Sequence, residues 1–90
     1  MKTIRRINCA KIEDISGFYD VIAKKLSFPE WFGRNLDALY DLLGDVGRDT
    51  KLVIRGFDRF AEKLGEKGEA LKGVLEDAAK ENPCLEVVFK

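Results

Sequence analysis

Short apolar runs alternate along this chain with longer stretches of helical periodicity, and the two patterns predict its elements. Thr3–Ile7 reads as a short strand with Ile4 and Ile7 as its apolar residues, although Arg5 and Arg6 break strict alternation. Ile15, Phe18, Tyr19, Ile22 and Leu26 then recur at helical spacing, with Asp14 or Ser16 placed to cap the helix. Lys24 and Lys25 fall in its last turn, where the helix dipole favours cations. Pro29 predicts the stop, because a proline pushes its predecessor out of the α region. Ser27–Arg34 is a loop carrying Trp31, Phe32 and Gly33, and Asn35 is a good N-cap for a second helix from Leu36 to about Leu43, closed by Gly44 and Gly47.

Lys51–Arg55 holds three consecutive apolar residues between charges, a pattern that suits a strand buried on both faces. Asp58–Leu64 is a short helical segment following Gly56, with Phe57, Phe60, Ala61 and Leu64 at helical spacing. Gly65 and Gly68 bracket a turn into a last helix, Glu69–Glu81, whose apolar stripe is Ala70, Leu71, Val74, Leu75 and Ala78. Asn82-Pro83 breaks it, and Cys84–Phe89 is a final strand. The order is β-α-α-β-α-α-β. Strands separated by helical crossovers favour parallel pairing. The expected fold is therefore α/β, with a three-stranded parallel sheet and about four helices in a single domain over residues 1–90.

On a wheel of about 100° per residue, Leu36, Leu39 and Leu43 of the second helix fall together, with Leu42 and Val46 beside them. Asp37, Asp41 and Asp45 fall on the opposite face, and Tyr40 lies on the border. From Asn35 to Gly47 there is no base. Like charges at i, i+4 cost about 0.2–0.5 kcal/mol per pair. The helix dipole partly offsets this at Asp37, less at Asp41, and opposes the charge at Asp45, past the helix end. A solvated helix face is the ordinary reading of such a run. A negative surface kept open for a positive partner is the sharper one, and Trp31 and Tyr40 beside it favour that reading, since exposed aromatics next to charge are typical anchors.

Composition narrows the chemistry. The chain has 90 residues, 16 basic and 16 acidic, so it lacks the basic excess of a general nucleic-acid binder. It has no histidine, which removes the commonest acid–base group and metal ligand, and its two cysteines, Cys9 and Cys84, are too few for a thiolate zinc site. Those thiols read as half-buried groups near strand ends, with no bridge implied. Met1–Arg6 carries charge with no apolar run behind it, so neither a signal peptide nor a membrane span is expected, and the default location is the cytoplasm. An enzyme using Asp37 and Asp41 as an acid–base pair is disfavoured, because both sit on an exposed helix face and a short chain has little room for a deep pocket. Two aspartates are also too few oxygen ligands for a stable hard-cation site. No catalytic residue, cofactor or metal is expected.

The run Phe28-Pro29-Glu30-Trp31-Phe32-Gly33-Arg34-Asn35-Leu36-Asp37-Ala38-Leu39-Tyr40-Asp41-Leu42-Leu43 resembles the most characteristic stretch of the barstar family. There, Pro-Glu-aromatic-aromatic-Gly precedes an Asn-Leu-Asp-Ala-Leu block and a second aspartate. The remaining strands and helices fall more loosely where that family has them. The resemblance implies an inhibitor of barnase-like secreted ribonucleases, monomeric when free, that contacts no nucleic acid directly and no membrane. In that family the second helix and the loop before it plug the enzyme's active site. The resemblance puts Asp41 in the cationic pocket for an RNA phosphate and Asp37 against nearby basic groups, with Trp31 and Tyr40 supplying packing. Gly33, Asn35, Gly44 and Asp45 fall on the same surface. A family acidic residue of the last helix aligns with Asp77, although family members carry glutamate there and Glu76 is adjacent. Trp31 stands where tyrosine is common, Tyr40 where tryptophan is common, and Gly44-Asp45-Val46 departs from the glycine-tryptophan sequence of the best-known member. A barstar-like domain with a different basic protein target is the alternative.

Overall fold

The structure, a computed structural model, describes residues 2–90; Met1, which opens the charged segment read at the N-terminus, lies outside the described residues. Three strands, β1 (Thr3–Asn8), β2 (Thr50–Arg55) and β3 (Leu85–Phe89), pair in parallel in the order β1-β2-β3. Four helices connect them: α1 (Ile15–Leu26), α2 (Leu36–Gly44), α3 (Phe57–Leu64) and α4 (Glu66–Glu81). A single 3-10 turn, Cys9–Lys11, follows β1. The expected three-stranded parallel α/β architecture is the one found.

The sheet is covered on one face. Ile7, Leu52, Ile54 and Leu85 enter one buried cluster with residues of all four helices, and Val87 and Phe89 pack against it. Side chains that alternate to the opposite face, among them Ile4 and Arg6, Lys51 and Val53, and Glu86 and Val88, stay outside that cluster. Ile4 and Ile7 are three residues apart and so point opposite ways; Ile7 is buried and Ile4 is 46% exposed. The apolar run of β2 is buried as expected, but Val53 is shielded between Arg6 and Val88 of the flanking strands rather than beneath a second helical layer.

Local chemistry starts and stops the helices, with departures from the sequence pattern at Gly44 and at Gly65–Gly68. Asp14 caps α1, its Oδ1 accepting from the Gly17 N–H at 2.8 Å. The helix ends at Ser27, which is left-handed at φ 55°, and the Phe28 N–H donates back to the Ala23 carbonyl. The stop falls where the loop Ser27–Arg34 was expected to begin, set by the left-handed Ser27 two residues before Pro29. Gly44 stays helical and Asp45 is the C-cap, its N–H bonding back to Asp41 and Leu42. Gly65, at φ 67°, makes the whole turn between α3 and α4, so α4 begins at Glu66 and takes in Gly68. A Cβ on Gly68 would sit 2.0 Å from the Ala61 carbonyl oxygen, and only glycine lets the two helices touch there. Leu71, Leu75 and Ala78 of the expected stripe are buried and Val74 is half-buried, but Ala70, one turn before Val74 on the side that carries Asp77 and Glu81, is exposed.

Asn82 holds the end of α4 to the end of α2. It is buried, and its Nδ2 donates to the carbonyls of Leu43 and Val46 at 2.9 Å each, while its Oδ1 accepts from the Cys84 N–H at 3.0 Å. One amide thus ties the last turn of α2 and the loop after it to the chain leaving α4, adding to the Val46 N–H that the Leu43 carbonyl also accepts. Sequence alone showed Asn82 only as a helix breaker. Asn82→Ala should destabilise the chain by about 2–4 kcal/mol, since it strips partners from shielded carbonyls. Urea denaturation checks this, and a loss below about 0.5 kcal/mol would contradict the role.

Cys9 and Cys84 are free thiols; Cys9 is 3% exposed, and burial pushes its thiol up from 9.0 to about 11. A raised thiol pKa means that the folded chain holds its proton where the unfolded chain has released it. The resulting stability is fully present below pH 9.0 and is lost as pH rises toward about 11. Unfolding measured across that window should fall more steeply for the wild type than for Cys9→Ala, by on the order of 2 kcal/mol. Parallel slopes would contradict it.

Candidate functional site

The acidic helix is set at its start by Asn35. Its Oδ1 accepts from the Ala38 N–H at 2.8 Å, and its Nδ2 donates to the Gly33 carbonyl at 3.2 Å, so one side chain fixes both helix and preceding turn. At Gly33 an added Cβ would lie 3.3 Å from that Nδ2 and 3.4 Å from the Ala38 Cβ, which leaves little space for a side chain. Leu39 and Leu43 are buried, Leu36 and Leu42 half-buried, and Asp37, Asp41 and Asp45 exposed. The two faces read from the wheel are therefore the two faces found.

In the loop, neighbouring aromatics take opposite fates. Phe32 is buried edge-on against Tyr19 and Phe28, at ring separations of 5.8 and 5.1 Å. Trp31, anchored by that neighbour, is 76% exposed. Arg34 could have neutralised the acidic face, but it takes a left-handed backbone and turns to α1, where its guanidinium pairs with Asp20 and donates to Ser16.

Two hollows meet at Asp41. One, of about 450 Å³, lies between α2 and α4: Asp37, Tyr40 and Asp41 face Val74, Asp77, Lys80 and Glu81. The other, of about 420 Å³, is bounded by Trp31, Ala38, Asp41, Leu42 and Asp45. Asp41 borders both. Of the two acidic neighbours in α4, Asp77 lines the first hollow and Glu76 does not. Sequence reading missed Glu81, Lys80 and Val74. Val74, Asp77 and Glu81 are spaced i, i+3, i+7 on α4, a signal that had meaning only once that face was known to meet α2.

No carboxylate of this region is held in a close ion pair among the described residues. Among the described residues the ion pairs within 4.0 Å are Lys2–Glu86 and Arg34–Asp20, and neither involves Asp37, Asp41, Asp45, Asp77 or Glu81. The first hollow holds four carboxylates and one ammonium. The Tyr40 phenol is pushed up chiefly by the Glu81 carboxylate beside it, then by desolvation and the charges of Asp77 and Asp41, so it keeps its proton in this field. Gly44 is exposed with open space where a side chain would stand, and Asp45 sits at the C-terminal end of α2, where the dipole gives a carboxylate no support. Among the described residues no group of three or more His, Cys, Asp or Glu side chains could hold a metal ion, and no helix is long and apolar enough to cross a membrane.

Such a surface is suited to a positively charged macromolecule, with aromatic contact on one side of Asp41 and hydrogen-bonding carboxylates on the other. Comparison with known proteins places the chain in a family. The "Putative ribonuclease inhibitor YrdF" of Bacillus subtilis (strain 168) is 37% identical to this chain over 70 residues, 77% of each protein. The family described as Barstar (barnase inhibitor) matches residues 2–90, a span that takes in the whole sheet, the four helices and both hollows. A match of that extent makes the chain a member of the barstar family.

Proposed function

We propose that the chain inhibits a barnase-like secreted ribonuclease by docking α2, the loop before it and the facing turns of α4 into the enzyme's basic active-site cleft. The observation that carries this reading is the cluster of carboxylates around one hollow, with no cation of the same molecule paired to Asp37, Asp41, Asp77 or Glu81 among the described residues. An enzyme that binds RNA needs a cationic cleft, and a rigid carboxylate surface can satisfy the same donors as the phosphates it displaces. Asp41, between the two hollows, takes the phosphate position. Asp37, Asp45 and Asp77 pair with surrounding basic groups, and Trp31 and Tyr40 pack against the rim. Gly33, Asn35 and Gly44 shape the surface and keep it open. Long-range attraction speeds encounter, and aromatic packing slows release. The free chain is a cytoplasmic monomer that touches neither nucleic acid nor membrane.

Trp31, Tyr40 and Gly44-Asp45-Val46 depart from the family's common residues at the contact surface. They support a second reading, in which the same surface serves another basic protein, either a toxin or a nucleic-acid-processing enzyme.

Titration into activity assays of guanyl-specific bacterial ribonucleases, barnase among them, at low and high salt separates the two. The first reading requires inhibition that weakens as salt rises. Absence of inhibition across the panel would remove it. Asp41→Ala should cost about 2–5 kcal/mol of affinity, the range for truncating one member of a desolvated charge pair, for which the barnase–barstar complex is itself a reference case. A loss under about 0.5 kcal/mol would take Asp41 out of this role. Asp41→Asn should have opposite effects on binding and folding: weaker inhibition, and a free chain more stable by a few tenths of a kcal/mol as like-charge repulsion is relieved. Thermal melts of the free protein check the second sign.

A further inference from the structure

Lys80 is the one cation lining the hollow between α2 and α4. A lysine in the last turn of a helix is favoured by the dipole, but the dipole does not choose which side of the helix it takes. Here it takes the side of Asp37, Asp41, Asp77 and Glu81. It is exposed, and among the described residues no carboxylate oxygen lies within 4.0 Å of its Nζ. Lys80 is thus a single positive charge among four carboxylates, without a close ion pair to any of them among the described residues.

We propose that Lys80 is a specificity-determining residue that pairs with a carboxylate at the centre of the partner's basic groove, the general base of a ribonuclease. This rests on the ribonuclease-inhibitor reading above. Cleavage of RNA through its 2′-hydroxyl needs a base to take the proton. Where that base is a carboxylate, it is a negative charge in an otherwise positive groove. A docking surface made only of carboxylates would press like charge onto it, in an interface from which water is excluded and screening is weak. An ammonium among the carboxylates reverses the sign at that one point. Its flexible four-carbon stem and three donors suit it to reach a group on the floor of the groove. A uniformly basic partner would instead meet Lys80 as a repulsive element, so the same residue rejects what it does not fit.

The test compares Lys80→Met and Lys80→Arg with the wild type against three probes. These are barnase or the panel member inhibited most strongly, the same enzyme with its general-base carboxylate changed to the amide, and poly-lysine. Lys80→Met should weaken binding to the unmodified ribonuclease about tenfold or more, with Lys80→Arg close to wild type. The loss should largely vanish against the amide variant. The same Lys80→Met chain should bind poly-lysine more tightly, because it has lost a positive charge. Unchanged or tighter binding of Lys80→Met to the ribonuclease overturns the proposal, as does an equal loss against the amide variant. Wild-type chain that binds no ribonuclease, or binds one without regard to Asp41→Ala, overturns the parent reading and this one with it. A failure confined to Lys80 leaves the parent reading standing.

Discussion

Asp37, Asp41, Asp77 and Glu81 repel one another across the hollow between α2 and α4, and the rest of the molecule holds the two helices together against that repulsion. The attraction is apolar. Leu39 and Leu43 from α2 enter the same buried cluster as Leu71, Leu75 and Ala78 from α4, directly behind the charged rim. Burying side chains of this size contributes about 1.5–3 kcal/mol each, against a few tenths for each exposed like-charge pair. Asn82 adds the polar tie, binding the carbonyls at the end of α2 to the chain leaving α4. The surface can stay negative because the packing beneath it is stronger than the repulsion upon it.

The same logic explains where cations are absent. Arg34 follows the exposed Trp31 by three residues and is adjacent in sequence to the helix cap, yet it is engaged by Asp20 and Ser16 on α1. Arg5 lies on the helix-covered side of β1 and donates to the Lys25 carbonyl at the end of α1. A chain with 16 basic and 16 acidic residues is neutral in sum, but its fold leaves an acidic patch at one place. Placement of charge, more than its total, distinguishes a docking surface from an ordinary solvated helix.

What the sequence made legible was local. The cap at Asn35, the period of Leu36, Leu39 and Leu43, and the opposed aspartates depend on residues within a turn or two, so both α2 and its faces could be read from the chain. The parallel α/β order followed from the alternation of strands and helices. Features set by contacts between distant segments were not legible. Gly68 looks like a turn residue until α3 is seen to lie against it. Asn82 looks like a breaker until the end of α2 reaches it. Glu81 and Lys80 look like the charged end of a helix until that side of α4 meets the acidic face. The apolar run of β2 suggested cover on both faces, whereas flanking strand residues shield Val53 on the side without helices. Family resemblance pointed to Phe28–Leu43 and, on α4, to Asp77, and the fold sets Asp37, Tyr40 and Asp41 across one hollow from Asp77.

The most direct measurement is the map of backbone amide resonances that shift when an inhibited ribonuclease is added to labelled protein. Perturbed residues should cluster at 31–46 and 74–81, on both sides of the hollow and around Trp31, with the open face of the sheet undisturbed. Perturbations centred on Ile4, Arg6, Lys51 and Val88, with α2 silent, would contradict it.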